Sequence, residues 1–279
     1  MDVLSPSIPD AATYHQYLAN SLSAPGSRRN YLCGARKWIL ARGGNDSAFN
    51  SSEAHDVYKG ALTTRPHTPT PAPALTTRDL LLVSQYLDLI PYAAPIKAAL
   101  TMGFFSFLRA SNLLSPTISL WSGPHTLTRG DIVPHATGLT VVIRSSKTIA
   151  LMSPPVPLSL PLIPGSPACP TTAWLNYVAL LPALPSSPAF MLFNGKPLTP
   201  GVFNTVIREA LVDLGCPYAA QFSGHSLRRG GSQAAISGGA DKLDVTKHGT
   251  WSSPAGMRPY LPSSQSSRVA STMATLFGP

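Results

Sequence analysis

The stretch SGHSLRRGGSQAAISGG, residues 223–239, combines a helical pattern with closely spaced glycine and basic side chains. Ser223 directly precedes that pattern, and serine is a preferred N-cap because its side-chain oxygen accepts a hydrogen bond from the first turn. A helix that begins here places His225 and Arg228 three residues apart on one face. Two adjacent glycines follow. Because glycine is unfavourable inside a helix, we expect another element to pack closely against them.

The first turn of this helix has the chemistry of an anion site. A helix N-terminus offers unpaired N–H groups and a partial positive charge, both of which suit a phosphate. An imidazole and a guanidinium at this point can hold an anion and move a proton on it. The alternative is a surface helix with an ordinary histidine and two solvated arginines, and only the rest of the chain distinguishes the two interpretations.

The segment HGTWSSPAGMRPYL, residues 248–261, follows and contains the last tyrosine of the chain. Trp251 and Tyr260 are nine residues apart, and no other tyrosine lies after residue 218. Together with GHSLRRGG, this segment resembles the C-terminal active-site region of the tyrosine recombinases, and the eukaryotic mobile-element branch of crypton and DIRS type looks nearest. In that family a His-x-x-Arg helix is followed by a His or Trp and then by the nucleophilic tyrosine. His248 has the wrong spacing to Tyr260 for this role, so we interpret it as a helix-end residue.

The resemblance implies further site residues in the preceding part of the chain. The family places its first catalytic arginine late in an apolar helix, and FFSFLRASNLL, residues 104–114, supplies Arg109 there. The family's lysine lies in the hairpin between the second and third strands, where RSSKT supplies Lys147. The catalytic set implied by the resemblance is Arg109, Lys147, His225, Arg228, Trp251 and Tyr260.

The roles of these residues follow from the family's reaction on a DNA phosphodiester. The two arginines hold the non-bridging oxygens, and His225 is the base or proton carrier for the phenol of Tyr260. Lys147 is the acid for the departing 5′-oxygen, and Trp251 donates its indole N–H to a phosphate oxygen. The resemblance implies a covalent 3′-phosphotyrosine and no metal or other cofactor.

Composition limits the classes of protein to which the chain can belong. Apolar residues make up 44% of the 279, which is ample for a core and argues against disorder across the whole chain. Charged residues are only 12%, with a net charge of +9, and the surplus of basic residues suggests a polyanionic partner. The three cysteines have no metal-ligand spacing, so neither a zinc site nor a disulfide framework is expected.

Neither a membrane span nor a signal peptide is expected. The most apolar stretch, residues 90–108, contains two prolines and a lysine, which favours a buried helix over a span. The first ten residues lack a basic region followed by an apolar core. We therefore expect an intracellular protein, nuclear if its host is eukaryotic.

The chain is predicted to form two domains that close on DNA as a clamp. The predicted parts are a helical core-binding domain at 1–66, a Pro/Thr/Ala linker at 67–75, and a tyrosine recombinase catalytic domain at 76–279 with a C-terminal helix at 264–277. The fold class is mainly α with a small three-stranded antiparallel sheet. Its strands are predicted at 127–133, 138–146 and 155–163, and prolines confine the third strand to an edge. An apolar helix is predicted at 93–114.

Double-stranded DNA is the expected partner, bound by a homo-tetramer on two DNA sites that is a monomer or dimer when free. The basic side chains predicted to contact DNA are Arg28, Arg29, Arg36, Lys37, Arg144 and Arg229. The alternative for those in the first domain is a solvated helix face.

Three other functions remain open at this point. Asn112 stands where the family has an acidic residue, and Pro259 directly precedes Tyr260. These departures leave room for a domesticated DNA-binding protein that has kept the fold without recombination. A type IB topoisomerase-like enzyme would share the same residue types, whereas a stand-alone His/Arg phosphatase would need neither Tyr260 nor Lys147.

Overall fold

The computed structural model describes residues 2–22, 24–64, 71–117, 126–144 and 154–251. Contacts between residues divide the chain into two compact units, Met1–Pro71 and Ala72–Pro279, and this boundary falls inside the predicted linker. The predicted C-terminal helix at 264–277 lies outside the described residues.

The N-terminal unit is helical. Its helices are α1 (Ile8–Ser21), α2 (Pro25–Leu40) and α3 (Ser52–Thr64), with a short 3-10 helix, Ser47–Asn50, before α3. Helix α1 begins at a capping box, in which the Ser7 N–H donates to the Asp10 carboxylate at 3.0 Å and the Asp10 N–H donates to the Ser7 hydroxyl at 3.3 Å. Helix α3 begins after Ser51, whose hydroxyl accepts from the Ala54 N–H at 3.1 Å.

Arg28 lies inside this unit and not on its surface. Its side chain is 2% exposed. The guanidinium donates from Nε to the Leu22 carbonyl at 2.7 Å and from Nη1 to the Ala61 carbonyl at 3.2 Å. A buried charge requires such partners, so Arg28 connects the end of α1 to α3. The predicted contact between Arg28 and DNA does not fit this position.

Helix α5 (Ala94–Ser106) lies at the centre of the second unit. Ten of its thirteen residues are buried, which is typical of a helix packed on several sides. The other helices of this unit are α4 (Thr77–Asp88), α6 (Ala110–Leu113), α7 (Pro170–Leu180), α8 (Pro200–Asp213), α9 (Gly224–Ser237) and α10 (Lys242–His248). Helices α4, α7 and α9 all pack on α5. Within the described ranges, no helix is long and apolar enough to cross a membrane.

The predicted helix at 93–114 is interrupted near its end. Phe107 adopts the left-handed conformation, with φ 52° and ψ 24°, and ends α5. Arg109 is extended, with φ −72° and ψ 145°, and precedes α6. The prediction that Arg109 lies late in a continuous helix is therefore wrong, because the chain turns a corner between α5 and α6.

The second unit contains the predicted three-stranded antiparallel sheet. Its strands are β1 (Ile132–His135), β2 (Gly138–Ile143) and β3 (Val156–Pro161), in the order β1-β2-β3. Ile132 pairs with Val141, and Ile143 pairs with Val156. The mainly helical fold class and the edge position of the third strand are confirmed. The first strand begins later than predicted, because Arg129–Asp131 form a 3-10 turn.

The last residue of the predicted linker belongs to the core of the second unit. Leu75 is 0% exposed, and its N–H donates to the Ser226 carbonyl in α9 at 3.0 Å. Thr76 then caps α4, because its hydroxyl accepts from the Asp79 N–H at 3.1 Å. The segment before α4 therefore crosses α9.

Candidate active site

The glycines of α9 allow this helix to lie very close to its neighbours. A Cβ atom on Gly230 would lie 2.0 Å from the Leu75 carbonyl oxygen, and one on Gly231 would lie 2.0 Å from the Phe104 carbonyl oxygen. Because no Cβ atom fits at such distances, only glycine allows the helix to pack here. The close packing that the sequence predicted for the two glycines is confirmed.

A third close approach brings the start of α9 to the start of α6. A Cβ atom on Gly224 would lie 2.5 Å from the Cβ atom of Ala110. Arg109 directly precedes Ala110, and His225 directly follows Gly224. The N-termini of the two helices therefore place a guanidinium and an imidazole next to each other. Ser223 is the extended N-cap residue of α9, as predicted, and its N–H donates to the Ser226 hydroxyl at 3.1 Å.

Arg228 is held in a fixed orientation within the unit. It is 0% exposed, and its Nη1 donates to the Phe107 carbonyl at the corner between α5 and α6. Its guanidinium carbon lies 3.7 Å from the centre of the Trp251 ring, which is a cation–π contact. A carbonyl at one edge and an indole over one face together fix the plane of the guanidinium.

Arg109 is half-buried and has an unpaired donor. Its Nη1 is buried and has no hydrogen-bond partner among the residues that the structure describes. Leaving a buried N–H without an acceptor costs about 1–3 kcal/mol, and more when the group is charged. An anion in this position would satisfy the donor and neutralise the charge.

His225 lies at the exposed edge of the same cluster. Partial burial of the ring and the positive charges of Arg228 and Arg109 lower the pKa of His225 below its usual 6.5. The imidazole is therefore neutral near pH 7 and has a lone pair that can accept a proton. When an anion binds beside it, the negative charge would favour the imidazolium.

Trp251 and His248 both pack against Phe107, whose carbonyl accepts from Arg228. Trp251 is 8% exposed and packs with Phe107 and Val245. His248 ends α10, as predicted, and its Nε2 lies 2.9 Å from the Phe105 carbonyl. Because a carbonyl can only accept, this nitrogen carries the proton.

Four of the six predicted catalytic residues lie together in this cluster, and the other two, Lys147 and Tyr260, lie outside the described residues. The sequence did not reveal the role of the Phe107 carbonyl, since the conformation that exposes it leaves no signal in the residue types. The density of glycine in α9 was the available signal for the approach of Gly224 to α6. No group of three or more metal-ligating side chains was found in the described ranges.

The basic residues predicted to contact DNA in the N-terminal unit differ in their surroundings. Arg29 and Lys37 are exposed on α2. Arg36 donates from Nε to the Asp46 carboxylate at 2.6 Å, so its charge is largely compensated. Arg29 and Lys37 therefore have the charges most readily offered to a polyanion.

The two predicted DNA contacts of the second unit both have protein partners. Arg144 forms an ion pair with Asp131 at 2.6 Å near the end of β2. Arg229 donates to the Ala72 carbonyl at 3.3 Å. Each guanidinium would have to use its remaining N–H groups to bind a phosphate.

Comparisons with known proteins give structural matches and no sequence matches. No protein-family model matches the chain, and no curated protein matches it. The chain is similar to the XerH site-specific recombinase bound to palindromic difH substrate, with a TM-score of 0.58 and 14% identity, over 96% of this chain and 72% of that one.

Two integrases are similar to a comparable extent. A lambda integrase dimer bound to a COC′ core site matches with a TM-score of 0.58 and 14% identity, over 91% of this chain and 79% of that one. The Tn1549 transposon integrase in complex with circular intermediate DNA matches with a TM-score of 0.55 and 13% identity, over 96% of this chain and 85% of that one. These likenesses show that the chain has the tyrosine recombinase fold.

Proposed function

We propose that this protein is a site-specific DNA recombinase or integrase, which cuts and rejoins DNA strands through a covalent 3′-phosphotyrosine. The observation that carries this proposal is the cluster of Arg109, His225 and Arg228 at the facing starts of α6 and α9. One buried donor of Arg109 has no partner among the described residues. The fold shared with DNA-bound recombinases supports a DNA phosphodiester as the anion.

The two arginines would stabilise the negative charge that develops on the phosphate. Each guanidinium can present a planar pair of N–H groups to the non-bridging oxygens, which a lysine cannot do. Arg228 is already held by the Phe107 carbonyl and the Trp251 ring, so little reorganisation is needed when the charge appears. Preorganised donors of this kind are usually the largest single term in catalysis.

Tyr260 is the proposed nucleophile and His225 its proton acceptor. A phenol has an ordinary pKa near 10, so it needs a base to react at neutral pH. The Tyr260 oxygen attacks the phosphorus and forms a P–O bond while its proton passes to His225. The bond from phosphorus to the 5′-oxygen breaks, and the DNA 3′ end stays attached to the tyrosine.

Lys147 is the proposed acid that gives a proton to the departing 5′-oxygen. The reverse sequence rejoins the strands: a 5′-hydroxyl attacks the phosphotyrosine, returns its proton to Lys147 and releases Tyr260, which recovers its own proton from His225. Trp251 has a positioning role through its contact with Arg228, and its indole N–H is a further donor for a phosphate oxygen. No redox partner or cofactor enters this sequence.

The proposed assembly is a homo-tetramer on two DNA sites, with the N-terminal unit contacting the duplex through Arg29, Arg36 and Lys37. Arg144 and Arg229 are proposed as contacts of the catalytic unit. A mobile element is the proposed biological context, because the sequence resembles the crypton and DIRS branch.

Covalent trapping on nicked DNA tests this proposal. The protein is incubated with duplexes taken from the flanks of its own coding region, each carrying a nick near the candidate cleavage point. The mixture is then denatured and examined for protein joined to a 3′ end. We expect a covalent product with the wild-type protein and none with Tyr260→Phe. Tyr92→Phe is the matched control, because Tyr92 is 74% exposed on the same unit, and it should retain the product.

Three results would contradict the proposal. Equal product from wild type and Tyr260→Phe would show that Tyr260 is not the nucleophile. Specific duplex binding with no covalent product would favour the domesticated DNA-binding protein. Relaxation of any supercoiled plasmid, without a requirement for two sites, would favour a topoisomerase-like enzyme.

A further inference from the structure

A basic cavity lies within the N-terminal unit. It has a volume of about 540 Å³, and its lining includes Arg29 and Arg36 from α2, together with His15 and His55. Cavities of this size hold small molecules, and a phosphate alone would fill only part of the space. We call it the N-terminal pocket.

The charge of the N-terminal pocket is positive. Arg29 is exposed and has no ion-pair partner in the part of the chain that the structure describes. Arg36 forms an ion pair with Asp46 at 2.6 Å and also lines the cavity. No carboxylate is among the residues that line it. The electrostatic character therefore suits an anion.

His15 is a buried polar group without a partner. It is 5% exposed and lines the N-terminal pocket, and its Nε2 is buried with no hydrogen bond to any described residue. Burial and the neighbouring charges of His55 and Arg36 lower the pKa of His15. An anion that enters the pocket would offset the positive charges near His15 and would favour its protonated form.

The start of α3 lies at the N-terminal pocket, but its donors are already used by Glu53. Ser51 and Ser52 both line the pocket. The Glu53 carboxylate accepts from the Ser52 hydroxyl at 3.1 Å, and hydrogen bonds from its own backbone N–H and from Ser51 contribute to its lowered pKa. Its negative charge would oppose an anion, which makes Glu53 useful as a test.

The walls of the cavity are partly aromatic. Phe49 and Tyr58 line it, and the His15 ring contacts both, with centroid distances of 6.2 Å and 5.5 Å. Aromatic rings beside basic groups suit a phosphate that is carried on an organic body such as a sugar or a base.

We propose that the N-terminal pocket binds the phosphate group of a nucleotide. The guanidinium groups of Arg29 and Arg36 and the Nε2 of His15 would contact the phosphate oxygens, and the aromatic side of the cavity would contact the nucleoside. This proposal does not depend on the proposed function.

Titration of the full-length Tyr260→Phe protein tests this proposal without strand cutting. The probes are inorganic phosphate and adenosine 5′-monophosphate, followed by calorimetry and by the NMR signals of the His15 ring. We expect saturable binding that shifts those signals. Arg29→Gln should weaken it about tenfold, as loss of a charge-assisted hydrogen bond does, and Glu53→Gln should strengthen it. Lys59→Gln is the matched control, because Lys59 is exposed on α3 outside the cavity, and it should leave the affinity unchanged.

Competition with a short duplex separates a nucleotide ligand from the DNA backbone. Independent binding of the nucleotide and the duplex supports the proposal, and displacement of the nucleotide by the duplex overturns it. The proposal is also overturned if neither inorganic phosphate nor adenosine 5′-monophosphate shifts the His15 signals, or if Lys59→Gln weakens binding as much as Arg29→Gln. Absence of the covalent product from the wild-type protein, with nucleotide binding intact, would contradict the proposed function alone.

Discussion

Individual side chains at the candidate site have different degrees of burial, and this difference separates their roles. Arg228 is fully buried and fixed by a carbonyl and an indole ring, whereas Arg109 keeps a donor without a partner among the described residues. His225 is the exposed member and responds to the charges of both arginines. The proposed function therefore gives Arg228 the role of a donor in a fixed orientation, with Arg109 and His225 as the more accessible groups of the site.

Replacement of Arg109 should change the titration of His225. Partial burial and the two arginine charges lower the pKa of this histidine below 6.5, so Arg109→Gln should move it upward. An NMR titration of the His225 ring measures this directly. An unchanged pKa of His225 in Arg109→Gln would show that the two groups do not interact. Arg129→Gln does not serve as a control, because Arg129 is itself buried.

The same shift has a consequence for stability against pH. Because the pKa is lower in the folded protein than in the unfolded chain, the unfolded chain takes up a proton first as the pH falls below 6.5. His225 therefore lowers the free energy of unfolding progressively as the pH falls from 6.5 to its folded pKa, and the full loss persists at lower pH. Above that window it has no effect, so His225→Gln should flatten the acid side of the stability curve.

Residue identity alone could not assign every basic side chain. Arg28 and Arg29 are adjacent on α2 and were predicted to share a role, but one is buried against carbonyls and the other is exposed. Burial depends on how the neighbouring helices are placed, which a single helical pattern does not specify. The motif around His225 and Arg228 was informative because its spacing has a direct geometric meaning on a helix.

At the scale of elements, the glycines of α9 determine how closely the helices approach. The helix lies against the corner that follows α5 and against the segment before α4, with the spaces at Gly230 and Gly231 already filled by carbonyl groups. This contact also positions the start of α9, where His225 lies. Packing and site geometry therefore depend on the same interface.

Adding a single methyl group to this interface should destabilise the protein. A Cβ atom in Gly231→Ala would lie 2.0 Å from the Phe104 carbonyl oxygen, so the helices must separate. Overpacking of this kind typically costs about 1–3 kcal/mol. Gly201→Ala is the control, because a Cβ atom there meets nothing closer than 3.9 Å. Urea unfolding that shows equal stability for the two variants would contradict this account of α9.

The limits of prediction at this scale have a physical reason. Apolar periodicity over 93–114 predicted one helix, and periodicity cannot register a single residue that changes conformation. Phe107 has a positive φ although bulky residues rarely adopt one, and tertiary contacts with Arg228 and Trp251 stabilise it there. By contrast, the edge position of β3 could be predicted, because proline lacks the N–H that a central strand needs.

The whole molecule has few charged side chains, and the basic ones outnumber the acidic ones. The chain has 21 basic and 12 acidic side chains. In the described part, several of the cations are engaged with carboxylates or carbonyls, among them Arg28, Arg36, Arg144 and Arg229. If the protein binds DNA as proposed, its affinity should therefore depend on few phosphate contacts and should be modest at physiological salt.

The dependence of duplex binding on salt should distinguish exposed from buried cations. Lys37→Gln should reduce the slope of log K against log salt by about 1, because one phosphate contact is lost. Arg28→Gln should leave this slope unchanged and should instead lower the free energy of unfolding, since it removes hydrogen bonds to two carbonyls. Fluorescence anisotropy with a labelled duplex measures the first quantity, and a larger change of slope for Arg28→Gln than for Lys37→Gln would contradict both assignments.

The corner between α5 and α6 constrains how the length of the chain can change. The Phe107 carbonyl accepts from Arg228, and Arg109 follows Phe107 by two residues. The positions of both guanidinium groups therefore depend on one short segment of backbone. Consecutive Cα atoms are about 3.8 Å apart, so an insertion or deletion of one residue here would move Arg109 beyond hydrogen-bonding reach of a shared anion. Under the proposed function, the site should therefore tolerate substitutions at the corner better than a change in its number of residues.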